Sequence, residues 1–300
     1  MRGIYSALLG AFDSDGKVDV QGVHELVRHN IAFCHVDGLY VNGSTGENFL
    51  MTTEAKKQML KAVAEAANGE VRLIAHVGSN VLEEALELSH YAAELGYDAV
   101  SAVTPFYYKF SAEEIKGYYR TIASQSPLPL VAYYIPALTG IQLRLEDIEE
   151  ILRIPNIIGI KFTSNDFFIL ESLRSALPDK LFFSGYDEML LSAAVLGVDG
   201  AIGSTYNCIG HWAKQVIEAV GANDLKTART MQHHMNVVIR TMVKAGIYPT
   251  LKALARLYGV SIDGCKPPMQ ATTDVHREAA RRVFEYIRRV DEGQECVSGL

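Results

Sequence analysis

The chain has 300 residues, 49% of them hydrophobic and 21% charged, with a formal net charge of −7. That is an ordinary globular profile, long enough for one barrel-sized domain or two modest ones, and no apolar run reaches the ~20 residues that a membrane span needs. The negative balance and the lack of a basic run argue against a nucleic-acid surface.

Short apolar runs recur from the first residues on, each followed by an amphipathic segment at helical spacing. "MRGIYSALLGAF" has one arginine and no cleavage region after it, so it reads as a first strand and not as a signal peptide. The runs are IYSALLGAF (4–12), VDGLYVNG (36–43), VRLIAHVG (71–78) and DAVSAVTPF (98–106). They continue with LPLVAYYI (128–135), IIGIKFT (157–163), LFFSGYD (181–187) and DGAIGSTY (199–206). Helical patterns open after Thr52 and after Phe110, each with a Ser/Thr-then-Glu capping signal. Strands apolar along their whole length, alternating with helices, indicate a parallel sheet covered on both faces. About eight such units in about 220 residues match a (β/α)8 TIM barrel. An open doubly wound sheet would usually show G-x-G-x-x-G after its first strand, and LLGAFDSDG has none. Past about residue 222 only helical patterns remain. The chain therefore divides into a barrel catalytic domain, 1–222, and a C-terminal helical extension, 223–300, whose last residues, QECVSGL, read as frayed. The cysteines at 34, 208, 265 and 296 are too far apart for a zinc site or a disulfide framework and imply reduced thiols in a cytoplasm.

Chemistry in such a barrel gathers at the C-terminal strand ends. There the sequence places Ser44 and Thr45 in "NGSTGEN", Tyr133 and Tyr134 in "YYIPALTG", and Lys161 with Thr163 in "GIKFTSND". Asp187 and Glu188 follow in "SGYDE", and Ser204 in "GSTYN". Alternation puts Lys161 and Thr163 on one face. Pointing inward, an amine loses solvation, its pKa falls, and it becomes a nucleophile able to form a Schiff base. The competing reading is a structural lysine paired with a carboxylate. The GSTGEN turn suits an anion or a plain βα corner, and is not a Walker loop. Tyr133 shares a face with Val131 and Ile135, and either adjacent tyrosine alone reads equally well as a core aromatic. Asp187 and Glu188 suit substrate hydroxyls or plain solvent. His76 reads as a hydrogen-bonded interior histidine, and His233 and His234 as structural.

Taken together, DGLYVNGSTGE, SAVTPFYY, YYIPALTG, GIKFTSND and GYDE…DGAIGSTYN resemble the N-acetylneuraminate lyases of the dihydrodipicolinate synthase superfamily over nearly the whole chain. The resemblance implies a homotetrameric class I aldolase of the cytoplasm. It would cleave N-acetylneuraminate reversibly to N-acetylmannosamine and pyruvate, with no metal or other cofactor. It further implies that Lys161 is the Schiff-base lysine and Tyr133 the catalytic tyrosine. Ser44 and Thr45 would bind the pyruvate carboxylate, and Thr163, Gly185, Asp187, Glu188 and Ser204 the sugar chain. Tyr107 would be lent to a neighbouring subunit's site. Leu138 stands where the synthases carry an arginine for a second carboxylate, which favours a neutral polyol arm. Gly10 to Phe12 and Tyr134 depart from the usual Thr-Pro-Phe and Asn. The rival readings are a 2-keto-3-deoxy sugar acid aldolase, a dihydrodipicolinate synthase-like enzyme, or a non-catalytic sialic-acid or keto-acid sensor.

Overall fold

Each apolar run becomes a strand, shorter than the run because its end turns outward into a loop. The strands are β1 Gly3–Ala7, β2 Gly38–Val41, β3 Arg72–His76, β4 Ala99–Val103, β5 Leu130–Tyr134, β6 Ile157–Phe162, β7 Leu181–Ser184 and β8 Gly200–Gly203. They pair in chain order, all parallel, and β8 pairs with β1 to close the barrel. This computed structural model describes residues 1–262 and 264–294, so the frayed-end reading lies, from Glu295 on and with Cys296, outside the described residues.

Helices α1 Val20–Ala32, α2 Thr53–Ala67, α3 Leu82–Glu94 and α4 Ala112–Gln125 follow the first four strands. A short α5 Pro136–Thr139 precedes α6 Leu145–Leu152, and α7 Phe167–Ala176, α8 Leu190–Val195 and α9 Tyr206–Gly221 complete the ring. The capping signals act as read. Thr52 accepts the Ala55 N–H, and Ser111 with Glu114 closes a full capping box.

Alternation along the strands divides the core in two. Ile4, Leu39, Ala132, Tyr134, Ile160 and Phe162 face the helices, while Tyr5, Tyr40, Ile74, Val131, Tyr133, Phe183 and Ile202 fill the lumen. Among the described residues no strand follows β8. The chain continues as α10 Leu225–Ala245, α11 Ile247–Leu257 and α12 Asp274–Asp291. Apolar side chains of these helices, such as Met242, Leu254 and Val283, join the core layer outside the barrel.

Candidate active site

Strand β6 delivers Lys161 into the lumen, where its neighbours in register are Tyr133 on β5 and Phe183 on β7. The amine lies 4.3 Å from the centre of the Tyr133 ring and 4.5 Å from that of Tyr40. No carboxylate among the described residues comes within salt-bridge distance of it. Ring faces attract an ammonium only weakly compared with lost water. Burial therefore lowers the Lys161 pKa to about 7, with the field of Asp187 opposing.

Tyr133 is pushed the other way, to about 12, first by burial, with the Ser44 and Thr163 hydroxyls drawing it down. Its phenol is thus protonated at neutral pH. Thr163 Oγ1 is buried without a fully formed partner of its own. Asp187 accepts hydrogen bonds from Thr205 N at 2.9 Å and from Thr205 Oγ1 at 2.7 Å. Its Oδ1 is buried and unpartnered. Burial raises the Asp187 carboxyl to about 6 against those Thr205 bonds. Two glycines make this crowding feasible. A Cβ on Gly185 would fall 1.8 Å from Thr163 Oγ1, and one on Gly203 would fall 1.8 Å from Asp187 Oδ1.

After β2 the chain makes two short 3-10 turns, Ser44–Gly46 and Asn48–Leu50. Thr45 Oγ1 lies 2.7 Å from Ser204 Oγ, which joins the β2 and β8 loops across the mouth. One cavity of about 190 Å³ is lined by Ser44, Thr45, Tyr133, Lys161, Thr163, Gly185, Asp187, Glu188 and Ser204 together. Glu188 is exposed and Asp187 buried. Lys161 is the only basic side chain among the described residues that line the cavity, and Leu138 stands on its rim. An adjoining apolar chamber of about 310 Å³, walled by Phe49, Phe106, Leu138 and Met269 among others, shares Ser44, Ile135, Leu138 and Tyr248 with it.

Tyr107 is not in this cavity. It is 85% exposed, with a left-handed φ of 80°, on the β4–α4 loop. His76 is interior and neutral. Its Nδ1 lies 3.0 Å from the Asn48 side-chain amide, Nε2 accepts the Val103 N–H at 3.2 Å, and burial, then Lys161, lowers it to about 3. His234 bonds the Tyr286 hydroxyl at 2.8 Å, away from the mouth. Tyr134 faces outward, its ring 5.5 Å from that of Phe162. Among the described residues no group of three or more His, Cys, Asp or Glu is placed to hold a metal ion.

Strand-end reasoning missed Tyr186 and Tyr248, which also line the cavity. Tyr186 sits inside the quoted SGYDE stretch, so its position offered a signal. Tyr248 enters from α11, where no strand-end pattern reaches it; burial first pushes its phenol up to about 12.

The chain matches the dihydrodipicolinate synthetase family over residues 1–287. It is 49% identical to an N-acetylneuraminate lyase of Clostridium perfringens across 94% of this chain and 98% of the relative. Among solved structures it resembles CdNal from Clostridium difficile in complex with mannosamine, with 46% identity, a TM-score of 0.93, and 95% and 98% of the two chains covered. It also resembles N-acetylneuraminate lyase from Fusobacterium nucleatum complexed with pyruvate, with 46% identity, a TM-score of 0.90, and 95% and 96% covered.

Proposed function

The chain belongs to the dihydrodipicolinate synthetase family, and we propose that it is a Schiff-base aldolase cleaving N-acetylneuraminate reversibly to N-acetylmannosamine and pyruvate. The observation that carries the reading is Lys161: a buried amine with no ion-pair partner among the described residues, set against the Tyr133 ring at the barrel mouth. The relatives' names and their complexes with pyruvate and with mannosamine support the same substrate class.

In this mechanism neutral Lys161 attacks the C2 ketone of the open-chain sugar acid. Loss of water gives an iminium, which serves as the electron sink, so no step is routed through a metal. Tyr133, protonated at neutral pH, relays the C4 hydroxyl proton, directly or through the substrate carboxylate. The C3–C4 bond breaks, its electron pair forms the enamine, and N-acetylmannosamine leaves as the aldehyde. The enamine takes a proton at C3, and water releases pyruvate and the free lysine. The hydroxyls and N–H groups of the Ser44–Thr45 turn hold the keto acid's carboxylate. Asp187, Glu188, Thr163, the Gly185 backbone and Ser204 receive the sugar hydroxyls. A cavity whose only basic group among the described residues is the reacting lysine suits a neutral polyol arm better than a second carboxylate.

The proposal extends to a cytoplasmic homotetramer. The buried unpaired thiols of Cys34, Cys208 and Cys265 agree with a reducing compartment. Tyr107 and Tyr108, 85% and 66% exposed, leave an aromatic pair free for a neighbouring subunit. Light scattering tests the assembly.

Borohydride reduction with pyruvate should leave a covalent adduct on the peptide containing Lys161, seen by mass spectrometry. Cleavage without that adduct would sink the Schiff-base assignment. Faster cleavage of shorter 2-keto-3-deoxy acids than of sialic acid would move the substrate to the sugar acid aldolases, and binding without pyruvate release would indicate a sensor.

A further inference from the structure

Glu47 directly follows the Ser44–Gly46 turn and takes left-handed backbone, φ 62° and ψ 34°. A residue bearing a Cβ holds that conformation against steric cost, and keeps it only when its surroundings over-determine it. Here they do. The carboxylate is fully buried, with Lys252 Nζ from α11 2.5 Å from Oε1 and the Lys266 N–H donating to Oε2 at 2.6 Å. Lys252 Nζ also donates to the Gly264 carbonyl at 3.0 Å and lies 4.8 Å above the Phe12 ring. The Phe12 ring in turn occupies space that only a glycine at position 10 leaves open. A Cβ on Gly10 would stand 2.5 Å from that ring and 2.9 Å from the Gly46 carbonyl. The departure at Gly10 to Phe12 is therefore part of the floor beneath the turn.

Lys252 lies one helical turn past Tyr248, which lines the cavity, so α11 presents one residue to the substrate space and the other to the turn behind it. Nothing in the reaction described above uses Glu47 or Lys252. Two backbone bonds, Gly46 N to Gly43 O and Glu47 N to Ser44 O, both 3.0 Å, set the shape of the turn. The Glu47 side chain holds its far end. Released, Glu47 would leave the left-handed region, and the rotation would pass through Gly46 to the Thr45 hydroxyl and its bond to Ser204.

The geometry points to Glu47 and Lys252 as positioning residues that keep the Ser44–Thr45 turn shaped to receive the substrate's carboxylate. The inference rests on the aldolase reading of this site. The pair acts before chemistry, on how tightly the keto acid is held. It does not act on the reactivity of Lys161.

The test is pyruvate-dependent imine trapping. Wild type, Glu47→Gln and Glu47→Gln/Lys252→Met are reduced with borohydride over a range of pyruvate concentrations. The adduct is read by intact mass, and thermal melts run in parallel. Glu47→Gln leaves Lys252 buried without its counter-charge and lowers the melting temperature; the double variant removes the orphaned charge and recovers it. The clamp predicts half-saturation raised about tenfold in both variants, with the maximal adduct unchanged. A pair that only supports the fold would give a lower melt at wild-type half-saturation in the single variant, or full recovery of half-saturation with the melt in the double. Either result overturns the proposal, and either variant alone is sufficient to show it. Wild type that traps no pyruvate gives a different failure, that of the Schiff-base reading on which the clamp rests.

Discussion

The barrel mouth and the seam between α4 and α6 each hide a lysine, and the two lysines have opposite chemistry. Lys161 and Lys116 are equally inaccessible, each 5% exposed. Lys116 meets Glu150 at 2.5 Å and Glu113 and Asp147 at 3.0 Å. These hydrogen bonds, that of Glu150 first, raise its pKa and keep it an ammonium. Lys161 meets two ring faces, and its pKa falls to about 7. Low exposure alone therefore does not depress an amine's pKa; burial does so at Lys161, where no anionic acceptor among the described residues lies at bonding distance to oppose it.

The largest break in this comparison comes from Lys161→Ala. Cleavage should fall by at least ~10³-fold and the imine adduct should vanish. Circular dichroism should show the fold intact, with a melt no lower than wild type, since an unpaired buried amine contributes no stability. Turnover near the wild-type rate would end the assignment. Tyr133→Phe should cost about 10²–10³ in kcat, within the range of general acid–base catalysis, while pyruvate is still trapped on Lys161. Loss of trapping as well would mean that the phenol acts in imine formation and not only in bond cleavage.

A subtler effect is titration. Imine formation needs the neutral amine, so its rate should rise with pH, be half-maximal near pH 7 and then level off. Asp187→Asn removes a charge that favours the ammonium, so the half-point should move down in stopped trapping assays; an upward move would contradict the electrostatics. Linkage gives the matching stability trend. The folded-state pKa of Lys161 lies below the ordinary 10.5, so between about pH 7 and 10.5 only the unfolded chain still holds that proton. Stability from this group therefore rises with pH across that window, and the Lys161→Ala variant should lack that slope. The smallest effect on activity is expected at the seam. Lys116→Met should lower the melting temperature and leave kcat/KM within about twofold. A large loss of activity there would show that the two regions are coupled.

Much of this was legible because it is local. Alternation alone put Lys161 with Thr163, and Tyr133 apart from Tyr134, and the recurring strand–helix period implied the closed barrel. His76 could be placed in the interior from its apolar neighbours. The strand ends named Ser44, Thr45, Tyr133, Lys161, Thr163, Asp187, Glu188 and Ser204, all of which line the cavity, and the family resemblance added Gly185. What escaped was non-local. Tyr248 reaches the cavity from α11. Thr45 meets Ser204 only because β8 closes next to β1. Glu47 pairs with Lys252, far along the chain, and neither residue carries a local mark of it. The glycines at 185 and 203 gave no sign of the side chains packed against them.

By itself the sequence determined the elements, their order and which residues of a strand share a face, since helix and strand periods are properties of neighbours along the chain. Only the tertiary structure decided which of two equally inaccessible lysines is left without a carboxylate at bonding distance among the described residues. That choice depends on which carboxylates fail to reach Lys161 after closure, and the absence of a partner is a property of every element packed around it.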